Sequence, residues 1–114
     1  MSAAGPLRRL VAYVPDLMDR SRLSAAPAEI TFVNDPAGLA SAAVGADLVL
    51  VDLTRPGVLQ ILPDLTSPVI GFANHTERDL MDAARAAGCA TVLARSAFFS
   101  RVGDLLGPPT PADP

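Results

Sequence analysis

Three charged side chains fall where an apolar run gives way to polar residues: Asp16, Asp52 and Arg95. Two carboxylates and a guanidinium brought together have two uses. They can form an ion pair, in which the planar arginine fork grips a carboxylate through two N–H bonds. They can also begin a cation site, but a hard divalent ion wants several oxygens near octahedral geometry, and one carboxylate beside Asp52 is a poor start. The expectation is a permanent pair between Asp52 and Arg95, with Asp16 capping the helix that follows it. His75 falls in a loop near the same rim, where a general base could stand, although a lone loop histidine is ordinarily solvated. Cys89 follows Gly88 and reads as a small buried hydrophobe.

The elements that must hold these residues alternate along the chain. Leu10 to Val14 is a continuous apolar run stopped by Pro15, a buried strand. A helix is expected over Asp16 to Ala26, with Leu17, Met18 and Leu23 as its apolar positions and Pro27 ending it. Glu29 to Val33 is a second strand, and Asn34-Asp35-Pro36 opens an Ala-rich helix to about Val44 that Gly45 closes. Leu48 to Val51 is a third strand ending at Asp52, and Pro56-Gly57 turns into a short helical stretch that Pro63 stops. Val69 to Phe72 is the fourth strand. Thr76-Glu77-Arg78-Asp79 has the capping-box pattern for a helix to Ala87. Thr91 to Leu93 is the fifth strand, and Phe98 to Leu106 is a last amphipathic helix.

Five such strand–helix units imply right-handed crossovers and an α/β domain: one doubly wound, flavodoxin-like fold with a five-stranded parallel sheet and helices on both faces. Its domain spans residues 1–106, and the Pro-rich residues 107–114 form a disordered tail. In such a sheet, chemistry collects outside the carboxyl ends of the strands, which is where Asp16, Asp52, His75 and Arg95 fall.

Composition excludes several functions. The 114 residues carry 9 basic and 12 acidic side chains, net −3, so a nucleic-acid partner is not expected. All nine basic residues are arginine, which excludes a lysine Schiff base and a phosphate-loop lysine. One cysteine and one histidine make neither a disulfide nor a zinc set, and the expected compartment is the cytoplasm. No segment reaches the roughly 18 apolar residues of a membrane helix, so no membrane partner is expected. A flavin or nucleotide site on this scaffold would need a loop of free N–H groups at a helix start. Val14-Pro15-Asp16 offers none, since Pro15 has no N–H.

The segment Asp47-Leu48-Val49-Leu50-Val51-Asp52-Leu53-Thr54-Arg55-Pro56-Gly57 resembles the phosphoacceptor segment of bacterial response-regulator receiver domains. Ala84 to Ser96 resembles their fourth helix and fifth strand, and the likeness covers about residues 8 to 106. It implies that Asp52 is the phosphoacceptor-equivalent position, with Asp16 and Asp52 the places where Mg²⁺ would be held. The departures are as informative. Pro15 replaces the first residue of the acidic pair after strand one, and Ala73 replaces the hydroxyl residue after strand four. Val92 replaces the aromatic switch residue, and Arg95-Ser96 replaces Lys-Pro. The resemblance therefore implies a degenerate, non-enzymatic receiver, a pseudo-receiver without a cofactor. It would act through an unknown protein partner or as a homodimer over the last helix and its neighbours, with Phe98, Phe99 and Arg101 on the interaction face. The alternative is a stand-alone phosphoacceptor, modified on Asp52 by a histidine kinase with Mg²⁺, Arg95 clamping the phosphoryl group.

Overall fold

The computed structural model describes residues 7–107, so residues 108–114 of the expected tail lie outside the described residues. Five strands form one sheet: β1 (Arg9–Tyr13), β2 (Glu29–Phe32), β3 (Leu48–Asp52), β4 (Val69–Ala73) and β5 (Thr91–Ala94). Their order is β2-β1-β3-β4-β5 and every neighbouring pair is parallel. This is the expected doubly wound, flavodoxin-like arrangement.

Burial explains which runs became central strands. All five residues of β3 and of β4 are buried, because both of their faces are covered by helices. Alternate residues divide between two cores. Val11, Val49 and Val51 face α2 (Leu39–Ala42), α3 (Val58–Ile61) and α4 (Arg78–Ala86). Leu10, Ala12 and Leu50 face α1 (Leu17–Ser24), α5 (Arg95–Ser100) and α6 (Val102–Leu106). The edge strand β2 alternates between exposed and half-buried positions, which is why its pattern is the least apolar.

The second core contains three phenylalanines. Phe72 stacks on Phe98 with ring centres 5.1 Å apart, and Phe99 meets both rings edge-on at 5.4 and 4.9 Å. Aromatic pairs of this kind add about 0.5–1.5 kcal/mol each beyond their buried area. Gly71 is required by the other face: a Cβ there would meet the Leu53 side chain at 2.7 Å.

Several boundaries differ from expectation. The Ala-rich helix is broken into a 3-10 turn, Pro36–Gly38, and the single turn of α2, because Gly38 interrupts it. Asp35 caps the turn as expected, accepting the Ala37 N–H at 3.0 Å. The capping box at Thr76 does not form: α4 starts after Glu77, whose carboxylate instead accepts from the Asn74 amide at 2.9 Å. The last helix is two helices, parted at Arg101, where φ is −120°. Gly88 closes α4 as expected, in the left-handed region at φ +105°.

In α1, only Leu23 of the three apolar positions is buried; Leu17 and Met18 are 77% exposed. At 3.6 residues per turn they lie roughly 120–140° around the helix from Leu23. The inward stripe is Asp19 and Leu23.

Candidate rim site

The carboxyl ends of β1, β3 and β4 meet the start of α5 around a cavity of about 220 Å³. Asp16, Asp19, Asp52, Arg55 and Arg95 line it, with Phe72, Ala73 and Asn74 beyond them. The sequence reading thus brings Asp16, Asp52 and Arg95 to one rim, but the pairing it expected is not the one that forms.

Arg95 pairs with Asp19, not with Asp52. Its Nη2 donates to Asp19 Oδ1, joining residues 76 apart in sequence and tying α1 to the start of α5. The aromatic core explains the choice. The guanidinium lies 5.5 Å from the Phe72 ring centre and 5.3 Å from that of Phe99, a shelf that aims it at α1. Arg22 covers the Phe99 ring as well, at 4.2 Å. The hydrogen bond that Arg95 donates to Asp19, and further off the charges of Asp52 and Asp16, hold the guanidinium above its ordinary pKa.

Asp52 is 3% exposed and is occupied by its own turn. Oδ1 accepts the Thr54 N–H at 3.0 Å and the Thr54 hydroxyl at 2.6 Å. Oδ2 accepts from Arg55 Nε at 3.2 Å. The left-handed Gly57, at φ +86°, lets the chain after this turn enter α3.

Asp16 is the N-cap of α1, as expected: its Oδ1 accepts the Asp19 N–H at 3.0 Å. That bond, followed by the Met18 N–H and the charges of Arg95 and Arg55, lowers its pKa against a smaller opposing effect of burial. The carboxylate is therefore ionised at neutral pH.

Asp19 is the functional residue that sequence reasoning missed. It is 2% exposed, and Oδ2 is a buried oxygen with no hydrogen-bond partner. One signal could have found it: it stands four residues before Leu23, an acid on the apolar stripe of a helix.

His75 is exposed in the loop after β4 and does not line the cavity. The Cys89 thiol points to the carbonyls of Thr91 and Val69 at 3.3 and 3.5 Å, and burial pushes its pKa up. A protonated, buried thiol fits a packing role. Phe98 and Phe99 are core residues, which corrects their place on an interaction face; only Arg101 of that trio is exposed. Phe98 packs against Phe72 and Phe99, and Arg22 and Arg95 cover the Phe99 ring.

The residues present do not fit Mg²⁺. Among the described residues no three carboxylate, histidine or cysteine side chains are grouped to hold a metal. The Asp52 oxygen that a cation would take faces Arg55, and Asp16 Oδ1 is spent on its helix cap.

The parallel β2-β1-β3-β4-β5 sheet with helices on both faces is a flavodoxin-like domain. No protein-family model matches the chain, and no curated protein matches it. Solved structures do. A response regulator from Hahella chejuensis superimposes with a TM-score of 0.72 at 16% identity, covering 87% of this chain and 92% of that one. The chemotaxis response regulator CheY4 of Vibrio cholerae gives 0.71 at 13% identity, covering 89% and 99%. The phosphorylated cyanobacterial phytochrome response regulator RcpA gives 0.68 at 16% identity, covering 89% of each chain. At these identities the likeness establishes the fold.

Proposed function

We propose that this protein is a receiver-like signalling module that works by binding another protein, without enzymatic activity and without phosphotransfer on Asp52. One observation carries the reading: both carboxylate oxygens of Asp52 are engaged by Thr54 and Arg55 of its own turn. An attacking carboxylate needs a free oxygen and a counter-cation on the incoming phosphoryl group. Here the oxygens are held, the metal ligands do not assemble, and Ala73 has no hydroxyl to meet a phosphoryl oxygen. Val92, buried with 8% exposure, leaves the fifth strand without the aromatic side chain that would report a change at the rim.

The rim is therefore a fixed surface that presents one conformation to a partner. Intact-mass analysis after acetyl phosphate and Mg²⁺ tests this, with Asp52→Asn as the control. The expected result is an unchanged mass for both proteins. A gain of one phosphate in the wild type alone would establish the phosphoacceptor alternative.

A further inference from the structure

Two acceptor groups of the rim cavity are unused. The Asp16 carboxylate receives backbone N–H groups of its own helix start and no side-chain donor. Among the described residues no guanidinium reaches ion-pair distance of it. Below it, the Asp19 side chain is 3% exposed, and its Oδ2 has no donor at all. A buried carboxylate oxygen without a donor carries the full penalty of an unmade bond.

The donors of the cavity are already committed. Arg55 Nε is bound to Asp52 and Arg95 Nη2 to Asp19. Three carboxylates thus face two guanidiniums, leaving one negative charge. An anion entering here would have to take an arginine from its carboxylate. What the cavity lacks is a positively charged N–H donor.

We propose that this cavity receives the lysine side chain of a partner protein, its ammonium bridging Asp16 and Asp19 Oδ2. The inference rests on the interaction-module reading above and names the chemistry of the partner. An ammonium is a compact charge with three donors, suited to two acceptors on different residues. Arg95 holds Asp19 Oδ1 and leaves Oδ2 as the oxygen open to the ammonium. None of the 114 residues is lysine, so these residues do not supply the side chain themselves. Leu17 and Met18, which directly follow Asp16 and are each 77% exposed, give the flanking residues of that partner an apolar surface. The complementary segment is a lysine set between apolar side chains.

The probe is N-acetyl-Leu-Lys-Leu-amide, titrated into the ¹⁵N-labelled full chain, with the norleucine peptide N-acetyl-Leu-Nle-Leu-amide as control. Saturable shifts at the Asp16 and Asp19 amides and at Arg95 Nε are expected with the lysine peptide and not with the control. Asp16→Asn, a change at a half-buried position outside the core, is expected to weaken binding by about fivefold, the usual scale for a solvent-reached charge pair. Raising the salt should weaken it further, since the Debye length is about 10 Å at 0.1 M. No response, an equal response to norleucine, or an unchanged affinity in Asp16→Asn would overturn the proposal. So would the same shifts appearing on concentrating the protein alone, which would place a second copy's arginine there. Phosphate uptake by Asp52 is read by mass and lysine binding by chemical shift, so the two readings fail separately.

Discussion

Two ion pairs lie a few side chains apart on the same rim, and they are built in opposite ways. Asp52–Arg55 is local: the partners are three residues apart in one turn, and Thr54 between them also binds Asp52. Asp19–Arg95 joins α1 to α5 across the second core, on a shelf of two phenylalanine rings. The first decides what Asp52 can do, and if Arg55 is lost the buried Asp52 still has the two bonds from Thr54. The second fixes how two helices sit on the sheet, and its loss strands a buried carboxylate. A charge pair that governs chemistry and one that governs architecture need not be the same pair, even in one cavity.

The sharpest way to test that division is to remove Arg95. Arg95→Ala leaves Asp19 buried and unpaired. A buried pair broken on one side costs about 3–5 kcal/mol, and the partial exposure of Arg95 reduces this to roughly 2–3 kcal/mol. Urea denaturation near neutral pH reads it directly. Replacing both partners, Asp19→Leu with Arg95→Met, is expected to recover stability to within about 1 kcal/mol of wild type, because no buried charge remains. If the double variant stays as weak as Arg95→Ala, the pair is not what joins the helices.

Arg55→Ala is the matching change in the local pair. Its expected effect on stability is smaller, about 1 kcal/mol, because Asp52 keeps both of its Thr54 bonds when Arg55 is removed. An effect as large as that of Arg95→Ala would erase the contrast between the two pairs.

Asp16 gives the smallest effect, and one whose sign is fixed. Its folded pKa lies below the ordinary 3.8, so the stabilisation is fully present above pH 3.8. It is lost as the pH falls through the lowered folded value. Urea midpoints collected from pH 5 to pH 2 should therefore fall less steeply in Asp16→Asn than in the wild type.

The fold was legible in the chain because its signals are local. Leu48 to Val51 could only be a doubly covered strand, and Gly45, Gly57 and Gly88 all take the left-handed conformation that ends or begins an element. Asp16 as a cap was legible for the same reason. The pairing of Arg95 was not. It depends on where Phe72 and Phe99 place a guanidinium, and on an acid at the inward face of α1, neither of which local spacing encodes. The bend at Arg101 and the burial of both Phe98 and Phe99 were also beyond local pattern. A regular helix cannot aim adjacent residues the same way, and here Arg22 of α1 and Arg95, one turn earlier on the same helix, cover the second ring.

The turn around Asp52 can be challenged most directly with beryllofluoride, a phosphoryl mimic, added with Mg²⁺ to ¹⁵N-labelled protein. With Oδ1 held by Thr54 and Oδ2 by Arg55, the amides of Thr54, Arg55 and Ala73 are expected to stay unshifted into the millimolar range. Saturable movement of those three signals, absent in Asp52→Asn, would mean that the carboxylate is open to a phosphoryl group after all.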